Sequence, residues 1–159
     1  PCKPASLYGI SKNSLRQITS LLASQYGAQI QWIRAYYIVG DDAHGSSIFS
    51  KLLAAANEGK TTFPFTTGKN LYDFISITEL ARQISAVVAQ NQIDGIINVC
   101  TGKPMSLAER VEAYIHENNL GLTLQYGAFP DRPYDSPGVW GDATKIAQIL
   151  ALSGESLEA

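Results

Sequence analysis

The chain has 159 residues, the size of one ordinary domain, and 45% of them are hydrophobic, enough to fill a core. Twelve basic residues against 14 acidic ones leave a formal net charge of −2 with no basic stripe, which argues against nucleic acid as a partner. No apolar run reaches the roughly 18 residues that span a bilayer and no stretch reads as a basic-then-apolar leader, while Cys2 and Cys100 form neither a CxxC nor a Cys/His cluster. These features predict a cytoplasmic protein without membrane association, disulfide framework or metal.

The chain opens without Met in a Pro-containing loop, and is expected to be a fragment of a longer protein. Ser6-Leu7-Tyr8-Gly9-Ile10-Ser11-Lys12 then starts a helix. Tyr8 and Lys12, four residues apart, share a face, so an ammonium sits beside a phenol. Such a cation favours the phenolate, which makes Tyr8 a candidate general acid and base; an ordinary surface pair is the other reading. Leu15, Ile18, Leu21 and Leu22 continue at helical spacing to Tyr26, with Gly27 as the stop. Gln29 to Tyr37 reads as a short strand, and Ile38 to Asp42 leads it into a loop. This alternation implies α/β layering. His44, alone in that loop, reads as solvated surface.

Ser46 to Glu58 is a second amphipathic helix, with Gly59 as its C-terminal cap. Thr61 to Phe65 is a strand candidate. Gly68 to Ile77 is a turn and a strand, whose Ser76 or Thr78 caps a helix carrying Leu80, Ile84 and Val87. Gly95 to Gly102 reads as a buried parallel-type strand. Ser106-x-x-Glu109 is a capping box that opens the helix of Leu107, Val111 and Ile115, and His116 complements that helix's negative end. Leu120 to Tyr126 is one more strand candidate, Asp142 to Leu152 a last helix, and Gly154 begins a polar tail expected to fray.

Tyr8-Gly9-x-Ser11-Lys12, with Pro4 before it and a long amphipathic helix after it, resembles the active-site helix of the extended short-chain dehydrogenases/reductases. That family is typified by the NAD-dependent nucleotide-sugar epimerases and dehydratases. Later stretches are similar to it in the same order. In Arg34-Ala35-Tyr36-Tyr37-Ile38-Val39-Gly40, Arg34 and Gly40 match the strand whose loop closes over nicotinamide and sugar. Tyr36 falls at the aromatic bordering the nicotinamide, and Tyr37 replaces an Asn that meets the substrate. Asp73-Phe74 match the family's Arg-Asp-Phe segment, with Tyr72 where an Arg often meets the nucleotide. Asn98 and Gly102 fit its Tyr-Asn-x-Gly-x-Gly strand. Arg132-Pro133-x-Asp135 and Asp142-x-x-Lys145 look like the end of its substrate domain, where the planar cation of Arg132 suits a diphosphate. Alternatives stand beside these roles. Tyr36 and Tyr37 also read as a buried strand end, Tyr72 as a half-buried strand residue, and Arg132 as the partner of Asp131 or Asp135.

The resemblance runs from Pro4 to about Leu152 and implies an α/β fold: the late part of a Rossmann-like doubly wound domain plus a small α/β substrate domain. Residues 1–45 would end the NAD-binding domain, 46–152 would be mainly the nucleotide-sugar domain with interleaved Rossmann elements, and 153–159 a tail. None of the 13 glycines forms the fingerprint that cradles a dinucleotide pyrophosphate. The resemblance further implies part of an NAD-dependent epimerase or dehydratase, with NADP left open. Tyr8 and Lys12 would be catalytic and, with Tyr36, would hold the cofactor; Tyr37, Tyr72 and Arg132 would meet the nucleotide-sugar. The chain alone would be inactive, and a homodimer would form through the Tyr8 helix, whose Leu15, Ile18 and Leu22 face suits that use. The rival reading is a non-catalytic sugar-nucleotide-binding or dimerisation module that keeps the fold.

Overall fold

A computed structural model describes residue 4 and residues 6–40, 45–131 and 136–157. Helix α1 (Leu7–Gln25) starts where the Ser6 hydroxyl accepts from the Gly9 N–H at 3.1 Å. It ends before Gly27, whose φ of +64° is the left-handed conformation that glycine adopts freely at a helix stop. None of its residues is buried; Leu15, Ile18, Leu21 and Leu22 are all exposed. Among the described residues no helix is long and apolar enough to cross a membrane.

Strand β1 (Gln31–Ala35) pairs in parallel with β5 (Gly95–Val99), setting Ile33 opposite Ile97. A parallel pair needs apolar cover. Helices α3 (Ile77–Val88) and α5 (Thr144–Leu152) supply it, and their Val87, Ile146, Ile149 and Leu150 form one core with Ile97. Each side chain buried this fully stabilises the fold by roughly 1.5–3 kcal/mol.

The expected loop at Ile38 and Val39 is instead a strand. The chain breaks pairing at Tyr36 and begins β2 (Tyr37–Val39), which runs parallel to β4 (Leu71–Ser76) in a different sheet. Apolar residues continue through the handover, so no change in pattern marks it. Two further strands border β4: β6 (Pro104–Ser106), antiparallel, and β8 (Gly138–Val139), parallel. Pro104 heads β6, the strand position at which a missing N–H is tolerated. Strand β3 (Thr62–Pro64) pairs with β7 (Thr123–Gln125). Over these strands α2 (Ile48–Asn57) and α4 (Leu107–Glu117) build a second core from Phe49, Leu52, Val111 and Tyr114 with Phe65 and Leu122.

Ser47, Ser76 and Ser106 each cap a helix by accepting from the N–H three residues on. At Ser106 the box is reciprocal, because Glu109 returns a bond to the Ser106 N–H. The tail expected to fray is tied back. Arg82 on α3 donates to the Glu155 carboxylate and to the Ser156 carbonyl, and Leu157 packs against the α3–α5 core. A partner so distant in sequence gives no local signal.

Asp73 on β4 is fully buried. Its Oδ1 accepts from the Thr101 N–H at 2.9 Å and the Thr101 hydroxyl at 2.7 Å, and its Oδ2 accepts from the N–H groups of Gly102 at 2.9 Å and Gly141 at 3.2 Å. One carboxylate thus joins β4 to the turn after β5 and to the segment before α5. Gly141 has no alternative at that contact: a Cβ there would lie 2.4 Å from Cys100 Sγ and 2.8 Å from Tyr36 Cε2.

Asp73→Ala strands four donors and is expected to lower stability by roughly 3–5 kcal/mol in urea denaturation; a loss below about 1 kcal/mol would refute the clamp. Ser106→Ala is expected to cost about 1 kcal/mol at pH 7. The Ser106 hydroxyl, and then its N–H, hold Glu109 below the usual carboxylate range. With the folded value depressed, that contribution is fully present above the unfolded value near ~4.3 and is lost as pH falls through the folded value. The penalty of Ser106→Ala therefore shrinks at pH 3, which paired urea melts at the two pH values would measure.

Candidate active site

Lys12 Nζ stands 5.7 Å from the centre of the Tyr8 ring, one turn further along α1. Tyr8 is 74% exposed, and Lys12 is exposed beside it. The glycine between them has a local reason. Pro4 crosses the first turn, and a Cβ on Gly9 would lie 2.9 Å from Pro4 Cβ. The helix therefore presents a phenol and an ammonium side by side, free to meet a hydroxylated ligand.

Tyr36 sits half-buried at the handover between β1 and β2, with its ring edge against Gly141. Behind Gly141 lies Cys100, fully buried. Gln83 holds the backbone of Cys100 from both sides, donating to its carbonyl at 3.1 Å and accepting from its N–H at 3.0 Å. Burial, followed by the negative charge of Asp73, pushes the Cys100 thiol up to about 12, so it is no nucleophile at neutral pH. Asn98 ties β5 to the start of α5 by donating to the Asp142 carbonyl at 3.1 Å.

Tyr37 turns the other way and stacks on Tyr72, with ring centroids 4.3 Å apart and planes tilted by 42°. Tyr37 is 48% exposed, whereas Tyr72 beneath it is 8% exposed and more deeply placed than a half-buried strand residue. Phe74 meets both rings edge-on at 5.7 and 6.0 Å, and it leads on to Phe49 at 6.4 Å. Beside the stack a cleft is lined by Val39, Phe74, Lys103, Met105 and Arg110. The Arg110 guanidinium lies over Phe49 at 5.5 Å and Tyr114 at 5.9 Å and pairs with Glu117.

Two pairs of expected site residues are therefore brought together, Tyr8 with Lys12 on α1 and Tyr37 with Tyr72 on the four-stranded sheet. Arg132 and His44 lie outside the described residues. Asp131, one candidate partner of Arg132, accepts from the Thr67 N–H at 3.2 Å and hydroxyl at 2.8 Å. The sequence reading missed Lys103, Met105, Arg110 and Val139 as neighbours of the site. The first two belong to β6 or its approach and Val139 to β8, strands too short to show a period of two.

Residues 1–100 match the family described as the NAD dependent epimerase/dehydratase family. The chain belongs to that family. A relative from Aggregatibacter actinomycetemcomitans, dTDP-6-deoxy-L-talose 4-dehydrogenase (NAD(+)), is 45% identical over 142 residues, covering 89% of this chain. The chain spans about half of that relative's length, 52%. Among solved structures, a UDP-glucose 4-epimerase from Thermus thermophilus in complex with NAD matches all of this chain and 51% of its own, at 20% identity and a TM-score of 0.75. UDP-glucuronic acid 4-epimerase from Bacillus cereus, in complex with UDP-glucuronic acid and NAD, matches 95% of this chain and 48% of its own at 21% identity and a TM-score of 0.77. These likenesses show the Rossmann-like α/β fold that the epimerase/dehydratase motifs imply.

The residues present fit one end of the cofactor after which the family is named. Lys12 and Tyr8 offer exposed polar groups suited to a ribose and a reacting hydroxyl, while the glycine cradle of a pyrophosphate is not among these 159 residues. Cys100, by contrast, is expected to resist thiol reagents at pH 8 in the folded chain and to react at an ordinary rate once unfolded in urea. Rapid labelling of Cys100 in the native state, read by mass spectrometry, would contradict its burial.

Proposed function

We propose that this chain is part of an NAD-dependent enzyme that oxidises a hydroxyl-bearing carbon of a nucleotide-linked sugar. The substrate class proposed is a deoxythymidine diphosphate 6-deoxyhexose. The observation that carries the proposal is the exposed Tyr8–Lys12 pair on α1, in a chain of the epimerase/dehydratase family. The 45% identity to a relative named for dTDP-6-deoxy-L-talose supports the choice of nucleotide and sugar.

In this reading the Tyr8 Oη removes the proton of the sugar hydroxyl as the C–H bond of the same carbon breaks. Lys12 places a positive charge one turn away and directs its remaining donors to the cofactor ribose. Tyr36 borders the nicotinamide, Tyr37 and Tyr72 form the sugar side of the site, and Arg132 meets the diphosphate. Bound NAD supplies the hydride acceptor. The resulting keto sugar is released or epimerised according to the groups around it. Residues 1–45 then belong to the cofactor side and 46–152 mainly to the sugar side, except that the chain already changes sheet at Tyr36, which puts β2 and Tyr37 with the sugar side; the separate core built by α2 and α4 supports the division. The exposed Leu15, Ile18 and Leu22 on α1 support pairing with a second copy through that helix.

Tyr8→Phe in the complete protein is expected to lower kcat by roughly 10²–10⁴-fold, the contribution of a positioned acid/base, while the protein still binds NAD. Steady-state turnover beside a calorimetric NAD titration checks both halves. Undiminished turnover would end the catalytic assignment.

A further inference from the structure

We infer that Tyr37, stacked on a Tyr72 that Met105 and Val139 flank, is a platform that selects a deoxygenated sugar ring over its 6-hydroxylated counterpart. The inference rests on the function proposed above and adds the residues that would choose the sugar.

Strand register puts these side chains on one face. Tyr72 on β4 lies opposite Met105 on β6 and opposite Val139 on β8. Side chains paired across neighbouring strands share a face of the sheet. Tyr37 reaches the same face from β2, since its ring contacts both Tyr72 and Phe74, which are two residues apart on β4. The outcome is an apolar surface with three half-open members, Tyr37 at 48%, Met105 at 43% and Val139 at 44%, over the buried floor of Tyr72. None of these four side chains is charged; among the described residues Glu79, Lys103 and Arg110 line the adjoining cleft, which Met105 also borders.

The floor is also firm. Tyr72 packs on Phe74, Phe74 on Phe49, and Phe49 on Tyr114 at 4.8 Å, so the exposed ring rests on a continuous series that ends in the second core. A platform held this way cannot easily turn to offer a polar edge. The C–H face and C6 methyl of a 6-deoxyhexose lose nothing by leaving water for rings, a thioether and a valine. A C6 hydroxyl laid over the ring faces, the thioether and the valine gives up water and gains only weak acceptors, the phenol oxygens lying at the ring edges, and an apolar site penalises that mismatch by about 10²-fold at most.

The test is equilibrium binding to the complete protein without added NAD, so that no turnover occurs, comparing dTDP, a dTDP-6-deoxyhexose and the dTDP-hexose that differs only in carrying the C6 hydroxyl. The wild type is expected to prefer the 6-deoxy sugar by roughly 10–100-fold. Tyr37→Asn should bring that ratio to within about 3-fold while leaving dTDP affinity unchanged, and Tyr37→Phe should retain it. Val139→Thr, a change at an exposed position that leaves folding intact, should narrow the ratio even where Tyr37→Asn proves unstable. Equal binding of the two sugars by the wild type, or an unaltered ratio in Tyr37→Asn or Val139→Thr, overturns this inference alone. Failure of the wild type to bind either sugar nucleotide overturns the proposed function with it.

Discussion

A carboxylate without a counter-ion among its bonded partners holds this structure together. Asp73 accepts from three backbone N–H groups and one hydroxyl, a set that replaces the water it loses on burial. Because the donors belong to two separate segments, the bonds fix more than a side chain. They bring β4 of one sheet against the turn after β5 of another, and draw in the chain just before α5. The close approach leaves room only for glycine at 141, and that glycine in turn gives Tyr36 its place beside Cys100. A residue proposed to border the cofactor is thus placed through a glycine that the buried carboxylate holds.

The same economy of support recurs on the proposed sugar side. The aromatic series from Tyr37 to Tyr114 begins half in solvent and ends in the core between α2 and α4, where Arg110 covers its last two rings. Its outer ring is half exposed while Tyr72, Phe49 and Tyr114 are buried, so the proposed recognition surface takes its rigidity from hydrophobic packing.

Much of this was legible in the sequence wherever the physics is local. The Tyr8–Lys12 pair follows from helical spacing, the Ser76 and Ser106 caps from hydroxyl chemistry, and the β5 strand from an unbroken apolar run. What escaped reading is decided across distance. Nothing near Tyr36 announces that one strand ends and another begins in a second sheet, because Trp32, Ile33, Ile38 and Val39 look alike to any pattern. Pro104 hides β6, and two residues cannot reveal β8. Tyr37 and Tyr72 were each recognised as departures from the family pattern, yet only the fold makes them neighbours. Arg82 likewise reaches the tail through a contact that spacing along the chain cannot foretell.

Helix α1 carries a different lesson. It holds the proposed catalytic pair but buries none of its nineteen residues, and a helix without tertiary packing is marginal in water. Its amides would therefore exchange with solvent through openings that cost little, while those of β5 wait for the whole domain to unfold. The spacing between Tyr8 and Lys12 is set by the backbone, whereas its persistence in time is set by whatever covers Leu15, Ile18 and Leu22. The rate at which α1 exchanges is thus a direct gauge of whether that face is covered.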